Sequence, residues 1–116
     1  MILLFVSCNW TRTEEFVAYM RTAGELYLQG NDEDAMNALV KAEKAYSDEI
    51  PLSELGSLKM RKGDIYYRCY DYEKAIDSYE EGSEIFLSAG DTIIWIEIDK
   101  KKTHTNCRQT KCIGCL

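Results

Sequence analysis

Apolar side chains recur at steps of three and four residues along most of this chain. Phe16, Tyr19, Met20, Ala23, Leu26 and Tyr27 form the first such run, which is one face of an α-helix. Thr11-Arg-Thr-Glu14 ahead of it has capping-box spacing, and Gly30-Asn31 behind it is a helix stop. Met36, Leu39, Val40, Ala42 and Tyr46 form the second run. It opens on Asp32-Glu33-Asp34, whose carboxylates favour the positive end of a helix dipole. Pro51 fits a connection or a first helical turn. A third helix is predicted from about Ser53 to Cys69 and a fourth from about Tyr72 to Ser88.

The pattern occurs twice. Gly63-Asp-Ile-Tyr-Tyr-Arg-Cys-Tyr-Asp-Tyr-Glu-Lys-Ala75 reads as the end of one helix, a tight turn and the start of the next. Ala23 to Ala35 is its earlier copy, 40 residues upstream. At that offset Glu14, Met20, Arg21, Tyr27, Glu33 and Ala35 recur as Glu54, Met60, Arg61, Tyr67, Glu73 and Ala75. Small residues at Gly63 and Ala75 would let two helix backbones approach closely, with Tyr66 and Ile76 filling the space beside them. Self-similarity at a fixed period marks a repeat array. Asp91-Thr-Ile-Ile-Trp-Ile-Glu-Ile-Asp99 is ambiguous by itself, because its β-branched run favours a strand. The 40-residue register makes it a helix, the fifth, over about 91–102. Ile94, Trp95 and Ile98 would share one face of it, with no complete repeat to cover them.

These residues resemble the tetratricopeptide repeat family. The first copy supplies the small and turn positions Ala23, Gly30, Ala35 and Ala42 with Leu26 between, and the second supplies Gly63, Tyr66, Ala75 and Gly82 with Tyr70 at the turn. The usual period is about 34 residues, so this is a long variant, with the extra residues around Pro51. Ser88-Ala89-Gly90-Asp91 looks like the turn that closes repeats in longer subfamilies. The resemblance implies an all-α fold, an α-solenoid of antiparallel helical hairpins with about five helices. Repeat 1 spans 11–50 and repeat 2 spans 51–90, and 91–102 starts an incomplete third. It also implies a concave groove lined by the first helix of each repeat. Carried over by register, the groove positions are Met20, Tyr27 and Leu28, then Met60, Asp64, Tyr67 and Arg68. Met adapts to varied partners, and Tyr offers a large area with a polar tip.

Charge narrows the partners. The chain has 14 basic and 20 acidic residues, net −6. Five of the bases and no acid lie in residues 100–116, so the first 99 residues carry net −11. Such a body repels phosphate backbones, and no nucleic-acid partner is expected. No nucleophile with its base and no Gly-rich phosphate loop is present, so neither an enzyme nor a cofactor is expected.

The two ends stand apart. Residues 1–10 are an apolar arm or the remnant of a signal. Phe5-Val6-Ser7-Cys8 resembles the end of a bacterial lipoprotein signal, which would make Cys8 a lipid site and the only link to a membrane. Localisation is then the bacterial cell envelope or, equally, the cytoplasm. Residues 103–116 read as a Cys-rich basic tail without repeat register. His104, Cys107, Cys112 and Cys115 are zinc-type ligands in a spacing that fits no zinc module, and no metal site is assigned. The expected function is that of a protein–protein interaction module holding a peptide in the groove, within a bacterial signalling or envelope protein. The alternative is self-assembly through the open Ile94, Trp95 and Ile98 face.

Overall fold

The computed structural model describes residues 11–110, and among them every regular element is an α-helix. They are α1 (Arg12–Leu28), α2 (Asp32–Ala45), α3 (Leu52–Arg68), α4 (Tyr72–Ser88) and α5 (Thr92–Thr110). The starts of α1, α3 and α5 keep the 40-residue register, as do those of α2 and α4. The protein is therefore all-α and built of helical hairpins, as the periodicity predicts. It divides into two compact units between Ile50 and Pro51.

In the first unit α1 packs on α2. Thr11 caps α1, its hydroxyl accepting from the Glu14 amide at 3.1 Å. That satisfies one of the four amide donors a helix start leaves unmet. Phe16, Met20 and Ala23 are buried with Ala35, Ala38, Leu39, Ala42 and Ala45. Alanines at every core position but one of α2 let the two axes lie close. The Phe16 and Tyr46 rings meet edge to face, with centroids 5.9 Å apart. The Tyr46 hydroxyl donates to the Ile50 carbonyl at 3.3 Å.

In the second unit α4 packs against both α3 and α5. Ala75, Tyr79, Phe86 and Ile98 form its buried core, with Met60, Tyr66, Tyr67, Ile94 and Trp95 packed around them. Tyr79, more than Tyr66 or Ile76, fills the space opened by Gly63. A Cβ at residue 63 would stand 2.5 Å from Tyr79 Cε1, well inside contact distance. At residue 82 a Cβ would stand 2.6 Å from Ile98 Cδ1 and 3.2 Å from the Gly56 carbonyl oxygen. The absent side chain at Gly82 thus admits Ile98 of α5 on one side and the α3 backbone on the other.

The C-terminal ends of α1, α3 and α4 share one turn. Asn31, Asp71 and Asp91 donate their amides back to the carbonyls of Leu26, Tyr66 and Phe86 at 2.9 Å. Gly30, Tyr70 and Gly90 donate to the carbonyls of Tyr27, Tyr67 and Leu87 at 3.0–3.1 Å. These are paired Schellman bonds, closed by a residue in the left-handed region. Gly30 and Gly90 take φ of 80° and 77°, and Tyr70 takes 65°.

Two sequence expectations are corrected in α5. The helix does not stop at residue 102 but runs through the first part of the basic tail to Thr110. Its inward stripe is Ile94, Ile98, Lys101 and Thr105, and Thr105 is fully buried. The Thr105 hydroxyl donates to the Lys101 carbonyl at 2.7 Å. That satisfies its polar atom within the helix and lets a polar residue fill a core position. The expected open face is also turned inward. Ile98 has no exposure, and Ile94 and Trp95 are half-buried against the core. The exposed apolar side chains of α5 are Ile93 and Ile96, 76% and 44% accessible.

Candidate partner-binding surface

The groove positions assigned from sequence separate into distinct environments. Met20 is 7% exposed, within the core of the first unit. It continues the stripe of Phe16 and Ala23, so its side chain is occupied in packing. Tyr27 is half-buried, and Leu28 is 85% exposed at the end of α1. In the second unit Met60 packs against the core, Asp64 and Tyr67 are half-buried, and Arg68 is exposed.

Asp64 and Tyr67 belong to a polar arrangement across three helices. Asp64 Oδ1 accepts from the Tyr79 hydroxyl at 2.5 Å and from Lys101 Nζ at 3.0 Å. One turn on, the Tyr67 hydroxyl lies 2.9 Å from His104 Nε2. Both cross-links join residues 37 apart, so α3 and α5 run in the same direction, with α4 antiparallel to them. The two rungs fix the relative height of α3 and α5. A surface ion pair alone contributes about 0–1 kcal/mol; the acceptor shared with buried Tyr79 makes this one geometrically specific.

Aromatic rings extend the second rung. The Tyr67 centroid is 5.7 Å from the His104 ring and 5.4 Å from the Tyr72 ring, and Tyr72 is 6.4 Å from Tyr70. A row of four rings therefore runs from α5 over α3 to the α3–α4 turn. Tyr70 is 80% exposed at its end. Tyr has two side-chain torsions and keeps a polar tip, so it presents rigid apolar area at low entropic cost.

The α5 contribution escapes a sequence reading that stops the register at residue 102. Continued along the helix, the same 40-residue offset sets His104 at the place of Asp64 and Cys107 at the place of Tyr67. Of the zinc-type series, His104 bonds Tyr67 and Cys107 is disulfide-bonded, while Cys112 and Cys115 lie outside the described residues. Among the described residues no group of three metal-type ligands converges. The lipid-site candidate Cys8 also lies outside the described residues. No described helix is long and apolar enough to cross a membrane.

No family model, curated protein or solved structure matches this chain. Its class is the one its geometry defines, an all-α protein of helical hairpins with a 40-residue repeat.

Proposed function

We propose that the face formed by α3, α5 and the α3–α4 turn recognises a peptide segment of a protein partner, in a repeat of the tetratricopeptide type. The observation that carries this is Tyr67, half-exposed yet held on one side by His104 and on the other by Tyr72. Such a ring is organised before any ligand arrives, which lowers the ordering cost of binding. Asp64 and Lys101 beside it offer an acceptor and a donor to a peptide backbone. Arg68 is exposed on the same helix.

The test is a peptide-display selection against the 116-residue chain, followed by Tyr67→Ala and His104→Ala. Tyr67→Ala is expected to weaken selected peptides by at least tenfold, about 1.4 kcal/mol or more, as an anchoring Tyr does. Peptides that bind both variants as well as the parent would remove this surface from consideration.

A second reading is self-association, which Ile93 and Ile96 favour because they are exposed on the side of α5 away from Ile98. It replaces the Ile94, Trp95 and Ile98 patch and is decided by sedimentation. As to place, the envelope reading rests on Phe5-Val6-Ser7-Cys8. Expressed in a diderm bacterium from its full locus, an envelope form would carry lipid mass on a chain starting at Cys8. A soluble chain retaining Met1 would leave the cytoplasmic reading.

A further inference from the structure

A second surface lies in the first unit. Residues 11–50 carry nine acids and four bases, Arg12, Arg21, Lys41 and Lys44. Three of those four bases line one cavity. It holds about 460 Å³ between α1 and α2 and is bounded, among the described residues, by Arg12, Glu15 and Tyr19 from α1 and Lys41, Lys44 and Ala45 from α2. Arg12, Glu15 and Tyr19 are spaced by three and four, one stripe of α1. Lys41 and Lys44 are three apart on the facing stripe of α2.

The grouping places three like charges at one site with a single carboxylate, Glu15, beside them. Like charges gathered at one site repel. Among the described residues none of the three cations forms an ion pair, although acids outnumber bases around them. Arg12 Nη1 donates to the Lys44 carbonyl at 3.4 Å, which draws the guanidinium across the cavity and covers the negative end of α2. Lys41 Nζ stands 6.0 Å from the centre of the Tyr19 ring. With three cations and the Glu15 carboxylate, the lining has net charge +2.

We infer that this cavity binds a small phosphate monoester. Its phosphate would sit among Arg12, Lys41 and Lys44 and its organic body against the Tyr19 ring. Near pH 7 such a phosphate carries between about one and a half and two negative charges, which offsets the lining, where a monocarboxylate leaves half of it unbalanced. The planar guanidinium suits paired phosphate oxygens. Glu15 is placed to accept from a hydroxyl on the ligand. The volume suits a ligand of small-molecule size.

The experiment is an NMR titration of the full chain with phenyl phosphate at fixed ionic strength, with benzoate as the monoanion bearing the same ring. Saturable shifts are expected at the amides of residues 12–19 and 41–45. Affinity should fall at least tenfold in Lys41→Gln/Lys44→Gln, and benzoate should bind correspondingly more weakly than phenyl phosphate. Lys41 and Lys44 are exposed, so the double variant keeps its fold, which its melting curve will show. Lys74→Gln, a cation of the other unit, should bind as the parent does. Shifts that stay linear, a double variant that binds unchanged, benzoate equal to phenyl phosphate, or an equal loss in Lys74→Gln would each overturn the assignment.

Discussion

Tyr79 occupies the space that a side chain at residue 63 would need, and its hydroxyl is held by Asp64 one residue further along α3. The ring is buried, so it has little freedom to retreat. Replacing Gly63 with Ala would gain up to about 1 kcal/mol of helix propensity. Against that stands an overpacking cost of about 1–3 kcal/mol in a core that cannot relax. We expect Gly63→Ala to lower unfolding free energy by about 1–2 kcal/mol, read from the urea midpoint. A midpoint that held or rose would show the ring moving aside. The small residue was legible in the sequence as a close approach. Its partner was not, because several Tyr side chains were equally available to fill the space and only packing chose among them. Met20 makes the same point in reverse. An apolar residue on a helix satisfies both a core reading and a groove reading, and the depth of burial separates them.

Among the elements, α5 is where local preference and tertiary structure disagree. Its first turns are rich in β-branched residues, which favour strands. The helix persists because Ile98 enters the space left at Gly82 and because Lys101 and His104 reach Asp64 and Tyr67 only at helical spacing. Ile98→Ala should therefore cost about 2–5 kcal/mol, the range for emptying a buried aliphatic site. Ile93→Ala should stay within about 0.5 kcal/mol, since its side chain is exposed. Thermal or urea unfolding of the pair measures the difference, and equal losses would mean that α5 is rotated from the orientation described. The same helix carries the self-association reading. If it holds, sedimentation should show dimers growing with concentration in the parent and in Tyr67→Ala, and their loss in Ile93→Ser. A parent that stays monomeric throughout the range removes it.

For the molecule as a whole, the acidic balance and the repeat are legible in the sequence alone. The 40-residue period, the hairpin turns and the all-α class follow from local chemistry: apolar spacing at three and four, a capping Thr, and Gly at two of the three left-handed turns, Gly30 and Gly90. Those signals act within a few residues, so one chain displays them. Three features depended on contacts between positions distant in sequence. The first part of the tail joined α5 because Lys101 and His104 meet Asp64 and Tyr67 of α3, each 37 residues away. The aromatic row formed because His104 and Tyr67, 37 residues apart, meet across parallel helices. The basic cavity formed because Arg12 lies beside Lys41 and Lys44 once α1 folds onto α2. Which side chains share a surface is set by how helices pack, and a pattern read along one helix holds no record of the face its neighbour brings.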